Sequence, residues 1–250
     1  MAGHNKWSKV KRLKGALDAK RGKLFSKLAK EITVAAKLGG GDVSTNARLR
    51  TAVQIARDQN MPNDNIDRAI KKGSGELGSE AIEEILYEGY APGGVALLIE
   101  VATDNRNRTA ADMRTIFTKN HGSLGSSGSV AFQFTRRGQI VVSADAVDEE
   151  NLLDIALEAG AEELENDEES FSILTQPDAL YAVGEAIQAA GVPVQSQRLA
   201  YFPQNTVTVP DSDTATQVLR LYELLDEYDD TQNVFANFDI PDEILESMPA

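Results

Sequence analysis

The sequence predicts an α+β protein: an N-terminal three-helix domain followed by two ferredoxin-like α+β domains, one inserted in the other. Three observations point there. Hydrophobic residues make up 42% of the 250 residues and charged residues 26%, ordinary globular values with ample material for a packed core. Apolar residues recur at helical spacing as far as residue 72, and beyond it strand-like and helical patterns alternate. The charge divides at the same place: residues 1–75 hold 17 Lys and Arg against 6 Asp and Glu, whereas 76–250 hold 8 against 33.

Residues 1–22 read as a basic arm punctuated by Gly3, Gly15 and Gly22. From Lys23 the pattern is helical: Leu24, Phe25, Leu28, Ile32 and Ala35 fall on one side and Lys23, Lys27, Lys30 and Lys37 on the other. Gly39-Gly40-Gly41 stops this helix. Ser44 or Thr45 is the expected cap of a second helix running to about Asn60, with Leu49, Val53 and Ala56 inward. Pro62 breaks it. Asn63 is the expected cap of a third helix, which carries Ile66, Ala69 and Ile70 and ends at Lys71-Lys72-Gly73. Gly73–Ser79 reads as a linker.

Next come strand Val95–Thr103, helix Arg108–Asn120 and strand Ser129–Thr135. Strand Gln139–Ser143, helix Val147–Ala159, strands Glu162–Asn166 and Ser170–Thr175, helix Pro177–Ala190 and strand Val194–Tyr201 follow. Strand Thr206–Val209, helix Asp213–Tyr228 and strand Asn233–Phe238 close the series. Residues 137–203 thus spell β-α-β-β-α-β, and the flanking pieces spell β-α-β twice. A turn at Arg136-Arg137-Gly138 and Pro203 are the expected crossing points. The domains expected are residues 1–78, 79–136 with 204–240, 137–203 inserted, and a tail 241–250.

Much chemistry is excluded by composition. No run approaches the roughly 18 apolar residues of a membrane span, and the basic start is not followed by the apolar stretch of a secretory signal, so no membrane partner and a cytoplasmic location are expected. There is no cysteine, which removes disulfides, thiolate nucleophiles and Cys-based zinc sites. His4 and His121 stand far apart, in no metal-ligand spacing, so no metal is expected. Gly39-Gly40-Gly41 lacks the Lys-Ser/Thr ending of a phosphate loop, and Gly122–Gly128 follows a helix rather than a strand. No cofactor and no catalytic residue are assigned. The acidic runs Glu162-Glu163, Asp167-Glu168-Glu169 and Asp226–Asp230 read as solvated faces, which leaves an enzyme with an unrecognised carboxylate site as the weakest reading.

The positive chemistry is cationic. Lys6, Lys9, Lys11, Arg12, Lys14, Lys20, Arg21, Lys23, Lys27 and Lys30 are offset only by Asp18, a density suited to neutralising phosphates. Trp7 among them can stack on a base or lie against a partner surface. On the second helix Arg48, Arg50, Gln54 and Arg57 are the candidates for reading base edges, and Arg50, Gln54 and Arg57 share a face. Arg106 and Arg108 fall at a helix N-terminus, where cations oppose the macrodipole. They read either as an anion or partner site or as an intramolecular pair, with Glu88 the candidate partner.

Several segments resemble the YebC/PmpR family. They are Met1–Ser8, Asp18–Lys23, Ala35–Asp42, Asn46–Arg50, Ala69–Gly73, Tyr87–Gly94, Thr103–Thr109 and Gly122–Val130. Small departures are Asn5, Leu13 and Leu17. The resemblance spans nearly the whole chain. It implies a helical domain plus two α+β domains, and a role as a probable transcriptional regulatory protein through DNA binding. It also implies kinship with mitochondrial translational activators of cytochrome c oxidase and with bacterial proteins linked to ribosomes; it implies no catalytic residues. The expected partner is therefore DNA or ribosomal RNA, with the ribosome itself belonging to the second reading. No oligomeric state is legible.

Overall fold

The computed structural model describes residues 17–78, 82–167 and 169–247, with backbone conformation alone for residues 17–21 and 247. Among the described residues three helices come first: α1 (Leu17–Gly39), α2 (Ala47–Asp58) and α3 (Asn63–Gly73). Ile32 and Val34 to Ala36 of α1 are buried, as are Leu49, Ala52, Val53 and Ala56 of α2 and Ile66 and Ala69 of α3.

Both expected caps move. Asp42 takes the amide and hydroxyl of Ser44 (2.8 and 2.7 Å), so Ser44 is spent in the turn. Asn46 caps α2 instead, accepting from the Leu49 amide at 3.0 Å while its Nδ2 donates to the Ala35 and Gly40 carbonyls. Pro62 holds the cap position of α3, and Asn63 is its first residue with no side-chain cap.

Beyond the helices lie β1 (Glu83–Tyr90), β2 (Ala96–Thr103), α4 (Arg106–Lys119) and β3 (Ser123–Leu124). Then come β4 (Phe134–Ser143), α5 (Glu149–Glu158), β5 (Ala161–Asn166), β6 (Ser170–Thr175), α6 (Leu180–Ala189) and β7 (Val194–Pro203). The chain ends with β8 (Val207–Thr208), α7 (Ser212–Glu227), β9 (Thr231–Ala236), β10 (Phe238–Asp239) and α8 (Asp242–Ser247). The α+β class expected from the sequence holds.

The second of the two four-stranded sheets has the order β5-β6-β4-β7, with the first and third strands of the β-α-β-β-α-β unit central, as in a ferredoxin-like sandwich. Its core joins Ile140 and Val142 of β4 to Leu152 and Ala156 of α5 and to Leu180, Val183 and Ile187 of α6.

The first sheet departs from the expected pattern by one strand. Its order is β3-β1-β2-β9, and β1, which the sequence reading passed over, pairs antiparallel with β2 along its full length. The short β8 pairs with β10 instead, in a separate parallel ladder. On one face Leu97, Ile99 and Val101 of β2 pack with Met113 and Phe117 of α4 and with Val218, Leu221 and Leu225 of α7. On the other face Ala102 meets Val34 of α1.

Two further expectations are overturned. Ser129–Thr135 is not a strand: a 3-10 turn occupies Ala131–Gln133 and β4 begins at Phe134. Arg136-Arg137-Gly138 is not a turn but lies inside β4. A Cβ on Gly138 would overlap Thr175 Oγ1 and come within 2.9 Å of Leu180 Cβ, so this glycine serves close packing rather than chain reversal.

The chain forms two compact units. One comprises residues up to Val34, Gly78–Thr135 and the chain from Phe202 on; the other comprises Ala35–Leu77 and Arg136–Tyr201. Among the described residues no helix is long and apolar enough to cross a membrane.

Candidate nucleic-acid interface

Lys6, Trp7, Lys9, Lys11, Arg12 and Lys14 lie outside the described residues, and Lys20 and Arg21 are placed on the first turns of α1 by their backbone alone. Lys23 is half-buried and lines a hollow with Gly22, Ser26, Lys27 and Asp229. Further along α1 the lysines find partners in the chain itself. Lys27 Nζ donates to Asp226 Oδ1 and to the Gln232 carbonyl, both at 3.2 Å. Lys30 Nζ donates to Asp230 Oδ1 at 2.8 Å and to the Asp229 carbonyl at 2.7 Å. Lys27 and Lys30 therefore have a counter-charge, the acidic segment that runs from the last turn of α7 to the start of β9. The reading of Asp226–Asp230 as a merely solvated face is corrected by these contacts.

Asp230 is the hub. Only 6% exposed, it receives Lys30 on Oδ1 and, on Oδ2, Thr103 Oγ1 (3.0 Å), Thr109 Oγ1 (2.8 Å) and Arg108 (2.9 Å). Burial alone pushes its carboxyl pKa up; hydrogen bonds from Lys30, Arg108 and Thr109 outweigh that and hold it well below the usual carboxylate range. Neighbouring Tyr228 donates to Asp112 at 2.7 Å, and burial, together with that acceptor, pushes its phenol up to about 12. The cluster pins α1, the start of α4 and the end of β2 to one buried carboxylate.

Arg108 therefore stands in an ion-paired network. Its guanidinium bridges Asp230 and Asp104 (2.9 and 3.0 Å), and the Asp230 hydrogen bond raises its pKa first of all causes. Asn105 caps α4 by accepting from the Arg108 amide at 3.1 Å. The two carboxylates offset the unfavourable placing of a cation at this helix start. Arg106 is exposed and makes no ion pair among the described residues. Glu88 is not the arginines' partner. It is 4% exposed and accepts the backbone amides of Gly128, Val130 and Ala131 at 2.6, 2.6 and 2.8 Å. Burial opposes its ionisation, but those amides win and lower its pKa.

On α2 the candidate base readers are partly engaged within their own unit. Arg50 donates to Glu185 Oε1 at 2.5 Å and to the Val43 and Ser44 carbonyls at 3.1 Å. Gln54 donates to Asp58 at 2.9 Å. Arg57 remains exposed and Arg48 is half-buried. Among the described residues no group of three His, Asp or Glu side chains is arranged to hold a metal.

Sequence reasoning missed Asp226, Asp230, Thr103 and Thr109 as a group. Thr103 and Thr109 bound one of the segments that carry the family resemblance, but their common partner is more than 120 residues away.

Comparison with known proteins places this arrangement. Residues 5–76 match the TACO1/YebC protein N-terminal domain, and residues 82–238 match the TACO1/YebC second and third domain. Over 247 residues the chain is 56% identical to a protein of Rubrobacter xylanophilus named a probable transcriptional regulatory protein, covering 98% of each chain. A protein of Syntrophus aciditrophicus with the same name is 51% identical over 251 residues, covering the whole of both chains. The crystal structure of a conserved hypothetical protein from Aquifex aeolicus superposes with a TM-score of 0.86 at 52% identity, covering 91% of this chain and 94% of that one. On domain matches over most of its length and relatives more than half identical, the chain belongs to the TACO1/YebC family.

Proposed function

We propose that the protein is a non-enzymatic regulator of gene expression that grips nucleic-acid phosphates with its basic N-terminal segment, acting as a DNA-binding transcriptional regulator. The observation that carries this is the concentration of cations between Lys6 and Lys30, which a single Asp offsets within a chain that is otherwise strongly acidic. The names of the relatives support transcription as the process.

A second reading, a ribosome-associated translation factor contacting ribosomal RNA, draws on α2. Arg50 and Gln54 would supply bidentate contacts to base edges, and both are already hydrogen-bonded to carboxylates. A protein left with phosphate contacts suits structured RNA as well as duplex DNA.

The test is binding of the full-length protein to promoter duplex, scrambled duplex and a ribosomal RNA fragment across a salt series. Neutralising about five phosphates gives a log–log slope near −4 to −5 on duplex DNA. A slope near zero rejects the phosphate grip. A preference for promoter below about tenfold, together with co-sedimentation with ribosomes at physiological salt, transfers the assignment to the second reading.

A further inference from the structure

Half of the eight Lys and Arg beyond residue 75 sit on one helix, α4: Arg106, Arg108, Arg114 and Lys119. The Asp230 network accounts for Arg108 alone. Arg106, Arg114 and Lys119 are exposed and make no ion pair among the described residues. Arg106 also stands at the helix start, where the macrodipole opposes a cation, so its placement is unfavourable within the chain.

Residues four apart are neighbours on a helix surface, so Arg106, Ala110, Arg114 and Thr118 form one ridge. From Arg106 to Arg114 it covers about 12 Å, at a rise of roughly 1.5 Å per residue. Between the two cations stands only the methyl of Ala110, and the ridge carries no acid. The acid of α4, Asp112, accepts from the Tyr228 hydroxyl, and Asp104, just before the helix, is held by Arg108. Met113 and Phe117, buried in the core of the first sheet, fix the helix that presents the ridge. Its position is also set. Asp230 holds Lys30 of α1 at 2.8 Å and Arg108 of α4 at 2.9 Å, so the first turn of α4 lies beside the helix to which the phosphate grip belongs.

We propose that the ridge from Arg106 to Arg114 is a second contact for the backbone of the duplex DNA that the N-terminal segment grips. The proposal rests on the nucleic-acid reading above and adds two named cations from the acidic part of the chain. Three features select a phosphate backbone over an acidic protein surface. The ridge adjoins the helix of the first contact, so one continuous polyanion can reach both. Duplex DNA carries a negative charge about every 1.7 Å of its axis, so cations roughly 12 Å apart each meet a phosphate without a matched pattern of carboxylates. Both cations are arginines, whose planar fork holds a phosphate through two hydrogen bonds, and the small Ala110 between them leaves room for the strand.

The test uses full-length protein and a fluorescent DNA duplex of about two helical turns, titrated between about 0.05 and 0.2 M salt. Arg106→Gln with Arg114→Gln should flatten the log–log salt slope by about 1.8, two phosphates' worth. Binding at about 0.1 M salt should weaken by roughly tenfold or more, with the melting temperature unchanged. Arg106→Lys with Arg114→Lys should keep most of the slope, because it keeps the charge. Arg220 is the control: it is exposed on α7, makes no ion pair among the described residues, and shares that helix with Glu223 and Glu227. Arg220→Gln should leave the slope at its wild-type value. A wild-type slope in the double Gln variant overturns the ridge proposal and leaves the N-terminal grip standing. Equal flattening by Arg220→Gln, per charge removed, also overturns it and assigns the effect to the overall field. A loss of self-association in sedimentation at unchanged DNA slope overturns it too, and makes the occupant an acidic protein surface. If wild type itself shows a slope near zero, grip and ridge fall together.

Discussion

At the scale of the residue, Asp230 shows how one carboxylate can carry several elements at once. It is almost wholly buried, yet two cations and two hydroxyls satisfy its oxygens. Asp230→Asn removes the charge that two cations share and leaves an NH2 facing donors. We expect a loss of about 2–4 kcal/mol, below the upper range for buried pairs because Lys30 and Arg108 keep partial access to water. The pH dependence has a definite sign. The folded-state pKa of Asp230 lies below its ordinary value, so its contribution is complete above the unfolded pKa and fades as pH falls through the folded one. The stability gap between wild type and Asp230→Asn, read from denaturant midpoints, should be widest near neutral pH and shrink below about pH 4. A gap that widens on acidification would contradict the network. By the same reasoning Arg108→Ala should lower the melting temperature and Arg106→Ala should leave it in place, since only Arg108 is paired. Equal effects from the two would mean that the pairing contributes nothing to stability.

At the scale of the element, Glu88 decides the shape of the loop from Gly125 to Ala131. Its carboxylate accepts three amides between Gly128 and Ala131, which stops that stretch from running on as strand. Glu88→Gln places an amide donor against backbone donors, so we expect a loss of about 1–3 kcal/mol. Hydrogen exchange should quicken at Gly128, Val130 and Ala131 and remain slow in β2; unchanged exchange in the loop would show that something else holds it. The same residue explains where sequence reading failed. Val130, Phe132 and Phe134 alternate as a half-buried strand would, but the amides of Gly128, Val130 and Ala131 answer to a carboxylate about 40 residues earlier. In β1 the acids Glu83, Glu84 and Glu88 hide a strand whose register with β2 is unbroken. The inserted unit was legible because its strands and helices carry plain periodicity, with Ile140, Val142, Leu152, Val183 and Ile187 all inward. The cap of α2 was misplaced by one or two residues because Ser44, Thr45 and Asn46 are all competent caps, and the turn at Asp42 engages both Ser44 and Thr45 and leaves Asn46 to cap.

At the scale of the whole molecule, the charge asymmetry sets where a polyanion can approach. The cations were legible in the sequence; their partners were not, since Lys27 and Lys30 meet acids about 200 residues further along the chain. That pairing has a consequence for binding. Lys27 and Asp226 are both about a fifth to a quarter exposed, so a phosphate reaching Lys27 must displace a carboxylate that already holds it. The acidic segment thus competes with nucleic acid for part of the lysine face and limits how many phosphates the helix can neutralise. Asp226→Asn should remove one of the groups that hold Lys27, at a stability cost below about 1 kcal/mol, the usual worth of a partly exposed pair. Duplex affinity should then rise several-fold at low salt, and the log–log salt slope should steepen by about 0.9, the increment for one additional phosphate on duplex DNA. Removing any acid also weakens the general repulsion of a polyanion, so the comparison needs a carboxylate that holds no lysine. Asp178 is exposed and has no ion pair among the described residues. Asp178→Asn changes the net charge by the same amount and frees nothing, so it should shift affinity slightly with no change in slope. If Asp226→Asn and Asp178→Asn behave alike, the effect belongs to the overall field, and the acidic segment is a structural anchor for α1 rather than a competitor for its lysines.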